Sequence, residues 1–330
     1  MAIPVIDIAP SVRSESARRT VAQAIGGACE TIGFFAIVGH GVPDAVDRAC
    51  WNAARAFFDL PLAERERVAF PHVGYPYGYA RLAGETLAVS RGEAAPPDLK
   101  ESYSIGPLRH PARAPEDPSE AFVYSANLWP DQPSDFRAAC EAYYRAMEDL
   151  AARLMTLFAV ALDLAPDFFD DKIDQHISAL RALNYPDQQV APEPGQLRAG
   201  AHSDYGSLTI LRQEQAPGGL EVLTLDDQWT PVPAIDGAYV VNIGDLMARW
   251  TNDRWVSTLH RVVNPPPDAA GSTRRQSIAF FHQPNWDAEI RCLPTCLAAG
   301  SVAKYGPVRS GPYLMSKFTS TVDQKAEMAN

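Results

Sequence analysis

The sequence lacks the features of several protein classes. Its 330 residues contain no apolar run long enough to cross a bilayer and no run of basic residues. Acidic residues outnumber basic ones by 40 to 29, which gives a net charge of −11. We therefore expect neither nucleic acid nor a membrane as a partner. The N-terminus has no charged segment followed by a long apolar one, so we expect a cytoplasmic protein.

Cysteine is scarce and unevenly spread. The five cysteines form no even, regularly spaced set, so a disulfide framework is not expected. Cys292 and Cys296 make a single CxxxC pair without a second pair, which is too little for a zinc site. No internal repeat is present. The hydrophobic content of 46% is sufficient for a large core, in one domain or in two closely packed ones.

The first half of the chain mixes helices with strands. Apolar residues at helical spacing predict amphipathic helices, and short β-branched or aromatic runs predict strands. The predicted elements are helices at 15–30, 43–58, 134–164 and 167–173, strands at 33–38 and 100–105, and irregular segments at 71–98 and 108–132.

Beyond residue 178 short strand-like runs alternate with Gly, Pro and Asp turns. This rhythm predicts a β-sandwich or barrel, with helices flanking it, and is not typical of a parallel doubly wound sheet. The predicted strands are 179–185, 207–212, 219–224, 238–243, 257–263 and 276–282, and a last helix is predicted at 313–320.

Three residues form a candidate metal site. His202 and Asp204 are two residues apart, so on a strand both would point to the same face. His260 lies in another predicted strand, which we expect in the same sheet, and could join them. Two imidazoles and one carboxylate suit Fe(II), with Mn, Co or Zn as alternatives. The competing interpretation is a surface His-x-Asp turn and an unrelated core histidine.

A candidate anion site follows. Arg275 and Ser277 are an i, i+2 pair on a predicted strand, and a guanidinium inside a barrel requires an anionic partner. A carboxylate is that natural partner. Tyr185 could reach the same anion, or could be an ordinary core tyrosine. Arg275 could also be an edge-strand residue paired with an aspartate. Arg274 would point the other way.

At this point the chain resembles the isopenicillin N synthase-like family of Fe(II)/2-oxoglutarate-dependent dioxygenases. The resemblance covers nearly the whole length. It is carried by the ordered motifs Ile3-Pro4-Val5-Ile6-Asp7, Gly33-Phe34-Phe35, Gly39-His40-Gly41-Val42, Asn127-Leu128-Trp129-Pro130, Leu183-Asn184-Tyr185-Pro186, His202-Ser203-Asp204, Asn242-Ile243-Gly244-Asp245, His260-Arg261-Val262 and Arg275-Gln276-Ser277.

The resemblance implies a fold and a set of roles. The fold is mainly β with flanking helices around a distorted double-stranded β-helix, or jelly roll. Residues 1–125 would be an N-terminal region packed on a 126–330 core as one compact unit. His202, Asp204 and His260 would be catalytic iron ligands, and Arg275, Ser277 and Tyr185 would bind 2-oxoglutarate.

Two departures from the family pattern stand out. Leu183 occupies a position that is Asn in many members, and the insert Pro265 to Thr273 lengthens the interval between His260 and Arg275. Neither removes a proposed metal ligand.

We therefore expect an oxygenase that uses Fe(II), 2-oxoglutarate and O2 to oxidise a C–H bond of a small molecule, by hydroxylation, desaturation or ring formation, in bacterial specialised metabolism. Three alternatives remain open: a 2-oxoglutarate-independent iron oxidase of the same family, a zinc hydrolase with the same ligands, and a non-catalytic jelly-roll module. Substrate identity, substrate-binding residues and oligomeric state do not follow from the sequence.

Overall fold

A computed structural model describes residues 3–72, 74–93, 95–188, 190–298 and 300–318. Within these ranges the strands form an eight-stranded, a four-stranded and a two-stranded sheet. The strands are β1 Val5–Asp7, β2 Phe34–Val38, β3 Gly78–Ala80, β4 Glu101–Ile105, β5 Ala179–Tyr185, β6 Ala199–His202, β7 Leu208–Gln213, β8 Gly219–Leu223, β9 Trp229–Pro231, β10 Tyr239–Ile243, β11 His260–Val263, β12 Arg275–His282, β13 Glu289–Ile290 and β14 Val308–Arg309.

Helices flank these sheets. They are α1 Glu15–Thr31, α2 Asp44–Phe58, α3 Leu62–Glu66, α4 Pro118–Val123, α5 Phe136–Ala161, α6 Asp170–Ile173, α7 Asp245–Trp250 and α8, which occupies 310–318. No helix in the described part of the chain is long and apolar enough to cross a membrane.

The two larger sheets line a common cavity. The eight-stranded sheet has the order β1-β2-β10-β7-β12-β5-β4-β3, and the four-stranded sheet has the order β6-β11-β8-β9. Side chains from β5, β7 and β12 on one sheet and from β6, β8 and β11 on the other form its walls. The mainly β architecture with flanking helices that we predicted is therefore confirmed.

Strand β12 shows why this sheet has two different faces. Side chains of successive strand residues point to opposite faces. Ile278 and Phe280 are fully buried in the main hydrophobic core, whereas the alternate residues from Arg275 to Phe281 line the cavity. The core-facing row packs against α5, whose apolar stripe is buried along most of its length. Helices α1 and α2 pack on α5 in turn.

Most predicted elements lie within a few residues of the observed ones, but the irregular segments contain more order than expected. The predicted loop at 71–98 contains β3 and a 3-10 helix at Leu87–Arg91, and the predicted irregular segment at 108–132 contains α4. Strand β3 is only three residues long and is supported by a buried side chain, because the Tyr79 hydroxyl donates a hydrogen bond to the Glu101 carboxylate. Residues 319 and 320 of the predicted last helix lie outside the described residues.

A close backbone approach holds the connection after β6 against the start of α7. A Cβ atom added to Gly244 would lie 2.2 Å from the backbone oxygen of Gly206, and no side-chain rotation can relieve that contact. The backbone N–H of Gly244 donates to the carbonyl of Ser207 at 3.2 Å.

We predict that Gly244→Ala lowers the free energy of unfolding by about 1–3 kcal/mol, because the added methyl forces these two segments apart. Denaturant unfolding of the variant beside Gly27→Ala measures this. Gly27 lies exposed in α1 with open space around it, so its substitution should be neutral or stabilising. Equal stability of the two variants would contradict the assigned contact.

Candidate active site

Three ligand-type side chains meet on the wall of the cavity. His202 ends β6, His260 begins β11, and the two residues are direct partners in the antiparallel pairing of these strands. Their ring centroids are 4.3 Å apart, and His260 Nε2 lies 3.7 Å from Asp204 Oδ1. One ligand atom from each of the three residues lies within 4.8 Å of the others, which places all three within reach of one metal ion.

Both imidazoles are oriented by the backbone. Nδ1 of His202 lies 2.8 Å from the carbonyl of Gly200, and Nδ1 of His260 lies 3.1 Å from the carbonyl of Thr258. A carbonyl accepts only, so each Nδ1 carries the proton and each Nε2 keeps its lone pair for a metal. Burial and, after it, the neighbouring His260 lower the pKa of His202 to about 3, so His202 is neutral.

The carboxylate of Asp204 is fixed in the same way. Its Oδ2 accepts hydrogen bonds from Thr209 Oγ1 at 2.6 Å and from Asn242 Nδ2 at 2.7 Å, which leaves Oδ1 facing His260. Burial tends to raise the pKa of Asp204, but the two histidines and these hydrogen bonds hold it below its ordinary value. An ionised carboxylate beside two imidazoles fits a divalent cation.

The structure corrects one detail of the sequence-based interpretation. Asp204 does not lie on a strand beside His202, because β6 ends at His202 and Asp204 belongs to the following turn. The backbone carbonyl of Asp204 accepts a 2.7 Å hydrogen bond from the N–H of Asp245 at the start of α7, which anchors this turn. The prediction that His260 comes from another strand of the same sheet is confirmed.

Arg275 is buried at the start of β12, whereas Phe281 near the end of that strand pairs with Thr209, which bonds to Asp204. We call the Arg275 end of the cavity, away from the metal site, its inner end. The Arg275 side chain is 1% exposed, and Nη2 donates to the amide oxygen of Gln213 at 2.8 Å. Its Nη1 is buried without a hydrogen-bond partner, and no carboxylate of the described residues forms an ion pair with it. Burial lowers the pKa of Arg275, but a guanidinium keeps its proton in proteins. The unpartnered N–H donors therefore fit a carboxylate ligand.

Ser277 and Tyr185 lie beside this guanidinium. Ser277 is on the same face of β12, two residues along, and both residues line the cavity. Tyr185 pairs directly with Arg275 across the sheet, and its ring centroid lies 5.2 Å from the guanidinium carbon. Arg274 points the other way, as predicted, and pairs with Asp59.

Sequence reasoning missed a second buried arginine near this point. Arg198 is 1% exposed, and its guanidinium carbon lies 5.9 Å from the ring centroid of Tyr185. It donates to the backbone carbonyls of Pro217 and Thr273, with no carboxylate of the described residues paired to it. Burial, together with the positive charge of Arg275, lowers the pKa of Arg198 to about 10.

The outer part of the cavity has a more mixed lining. The cavity volume is ≈ 330 Å³. Tyr77 and Tyr205 line it, whereas Arg81 pairs with Glu66 and Arg91 pairs with Glu93. The lining beyond the metal-site and Arg275 regions includes Glu85, Leu87, Lys100, Ser104, Phe122, Val123, Ile177, Arg181, Leu183, Phe281, Gln283, Leu314 and Phe318.

Comparison with protein families agrees with this geometry. Residues 3–132 match the model described as "non-haem dioxygenase in morphine synthesis N-terminal", and residues 177–284 match the "2OG-Fe(II) oxygenase superfamily". The second range contains the His202, Asp204 and His260 cluster together with Arg275.

Similar proteins extend the match to almost the whole chain. Validamycin A dioxygenase of Streptomyces hygroscopicus subsp. limoneus is 33% identical over 96% of this chain and 85% of its own length. Homoarginine-6-hydroxylase 2-ODD-233 of rice (Oryza sativa subsp. japonica) is 33% identical over 96% of each chain. A full-length Neurospora crassa protein, solved in complex with alpha-KG, is 32% identical, with a TM-score of 0.84 over 97% of this chain and 96% of that one.

With relatives this similar over this much of its length, the chain belongs to the family of Fe(II)- and 2-oxoglutarate-dependent oxygenases. Its fold is the jelly roll of that family with flanking helices. It is an oxidoreductase with iron and 2-oxoglutarate as its cofactor and cosubstrate.

We predict that Asn242→Leu weakens Fe(II) or Co(II) binding about 10–100-fold, because Asp204 loses one of the two donors that orient it. Anaerobic titration against a coloured chelator measures the affinity. Asn264→Leu is the control, since the Asn264 amide bonds to the carbonyl of Gln196 and not to Asp204. An unchanged affinity in Asn242→Leu would show that this hydrogen bond does not support the site.

Proposed function

We propose that this protein oxidises a C–H bond of a small molecule by hydroxylation, desaturation or ring closure. For hydroxylation the balance is substrate R–H, O2 and 2-oxoglutarate giving R–OH, succinate and CO2. When bound, the iron and 2-oxoglutarate supply the oxidising chemistry, and the protein supplies geometry and a cavity that excludes water.

In this proposal His202, Asp204 and His260 hold the iron through Nε2, Oδ1 and Nε2. Three protein ligands would leave other coordination positions of the iron open to exogenous ligands. Arg275 binds the distal carboxylate of 2-oxoglutarate through Nη1, the hydroxyl of Ser277 donates a further hydrogen bond, and Tyr185 packs beside them. The observation that carries the proposal is the buried Nη1 of Arg275, which has no partner in the described protein and faces the same cavity as the metal site.

We also propose that residues 1–125 and the 126–330 core form one folding unit. Strands from the first range complete the eight-stranded sheet on both sides, since β2 pairs with β10 and β4 pairs with β5. The Phe34 ring also lies 5.3 Å from the His260 ring, so the N-terminal range contributes to the wall beside the metal site.

The relatives support a small-molecule substrate. One is named for validamycin A and another for homoarginine, and a structure of the Neurospora crassa protein contains thymine. These are different chemical classes, so they do not define the substrate of this protein. We infer a role in small-molecule metabolism, bacterial specialised metabolism being the setting we favour.

The first experiment is anaerobic reconstitution with Fe(II) and 2-oxoglutarate, followed by addition of O2. We expect a weak visible charge-transfer band, then succinate, and loss of both in His202→Ala. A band without His202 dependence would reject the assigned ligands. Bound iron with no band would favour an iron oxidase that does not use 2-oxoglutarate at this site.

We predict that Arg275→Met raises the KM for 2-oxoglutarate roughly 10–150-fold, because the distal carboxylate loses charge-assisted hydrogen bonds. Arg274→Met is the matched control, since Arg274 is the neighbouring arginine on the opposite face of β12 and pairs with Asp59. Succinate formation at varied 2-oxoglutarate gives the KM. Similar values for the two variants would reject the role of Arg275.

A further inference from the structure

A second arginine lines the cavity at a different level from Arg275. Strands β5 and β12 are antiparallel, with Arg275 opposite Tyr185 and Ala279 opposite Arg181. Arg181 therefore lies four residues along the strand from the Arg275 level, which is about 13 Å at the rise of a β-strand. This places Arg181 in the outer half of the cavity, nearer the level of Thr209 and Asp204 and away from the position proposed for the distal carboxylate of 2-oxoglutarate.

The charge around Arg181 differs from that around Arg275. Arg181 Nη1 lies 3.4 Å from Glu85 Oε2, and its Nε donates to Ser104 Oγ at 2.9 Å. The buried ammonium of Lys100 lies 2.7 Å from Asp98 Oδ2 and 3.3 Å from the same Glu85 oxygen. The positive charges of Arg181 and Lys100 are thus balanced by the carboxylates of Glu85 and Asp98. Arg275, in contrast, has no paired carboxylate among the described residues.

Arg181 keeps hydrogen-bonding capacity for a ligand. A guanidinium has five N–H donors, and two of its three nitrogens make the contacts described above. Its side chain is 27% exposed, on a residue that lines the cavity. A ligand acceptor can therefore bind to it while Glu85 still balances its charge. A ligand carboxylate here would add an unbalanced negative charge beside Glu85.

Gln283 supplies a second polar group to the outer half. It is 5% exposed and continues the cavity-facing row of β12 beyond Phe281. Its amide oxygen Oε1 is buried with no partner in the described protein. Its amide nitrogen lies close to Gly206, in the turn after Asp204, because a Cβ added at Gly206 would lie 2.9 Å from Nε2. A buried acceptor without a donor favours a ligand with an N–H or O–H group.

We propose that Arg181 selects a neutral substrate that carries a carbonyl acceptor, as in an amide, lactam or ureide. The carbonyl binds to Arg181, and the apolar remainder lies among side chains such as Leu183 and Phe281. Gln283 lies four residues beyond Ala279, the partner of Arg181, so it binds a separate N–H or O–H group of a substrate that reaches that far. This inference rests on the proposed function, since it takes Arg275 as the cosubstrate end of the cavity.

The test measures probe binding to protein loaded with Zn(II), which has no redox chemistry, and saturating 2-oxoglutarate. The probes are 2-piperidone, cyclohexanecarboxylate and cyclohexylamine, which share a six-membered ring and differ in charge. Ligand-detected NMR gives relative affinities. We expect 2-piperidone to bind more tightly than either charged probe. We also expect Arg181→Met to weaken 2-piperidone binding at least about tenfold.

A charge variant separates this role from a structural one. Glu85→Gln removes one negative charge beside Arg181, so it should shift the preference from 2-piperidone towards cyclohexanecarboxylate. Arg181→Lys keeps the charge but loses the planar fork, and should weaken 2-piperidone binding less than Arg181→Met. Arg291→Met is the matched control, because Arg291 pairs with Glu289 at 2.9 Å and does not line the cavity.

Three outcomes would overturn the proposal while 2-oxoglutarate still binds: a carboxylate preference in the wild type, no effect of Arg181→Met, or no binding of any probe. If 2-oxoglutarate bound equally well without Arg275, the proposed function would be overturned instead. A lactam preference that depends on Arg181 and reverses towards the carboxylate in Glu85→Gln would support the proposal.

Discussion

The antiparallel register between β5 and β12 determines which side chains meet in the cavity. Seven consecutive residue pairs, from Arg275 opposite Tyr185 to Phe281 opposite Ala179, fix this register. A slip of one residue would turn Ile278 and Phe280 into the cavity and Arg275 into the core, because alternate residues face opposite sides. The apolar core packed against α5 therefore holds the polar row in place. Sheet stability and active-site geometry depend on the same hydrogen-bonded ladder.

Buried positive charge is the main electrostatic cost of this fold. Arg275 and Arg198 lie on Tyr185 with no ion pair to a carboxylate of the described residues. Isolated buried charges are expensive, and a second cation nearby increases the cost. The distal carboxylate of 2-oxoglutarate at the inner end would offset part of it. In the proposed function, relief of this unfavourable electrostatic free energy therefore contributes to binding of the cosubstrate.

The metal triad and Arg275 could be predicted because the i, i+2 spacing of residues on a strand is visible in a short stretch of sequence. Spacing identified His202, Asp204 and His260, although Asp204 turned out to lie in a turn and not on β6. The outer half of the cavity was not predictable in this way. Arg181, Glu85 and Gln283 are distant in the chain and line one cavity only through the pairing of β4, β5 and β12. The burial of Arg198 could not be predicted from the sequence, because its guanidinium bonds to backbone carbonyls, which every residue type has.

The two ends of the cavity are then chemically distinct, and this distinction favours one of them for a carboxylate. Near Arg181 a carboxylate of 2-oxoglutarate would also face Glu85, which lies 3.4 Å from that guanidinium and would repel it. At Arg275 no carboxylate of the described residues forms an ion pair, and a buried N–H lacks a partner in the described protein. In the proposed arrangement the distal carboxylate of 2-oxoglutarate therefore binds at Arg275, and Arg181 stays available to a neutral substrate.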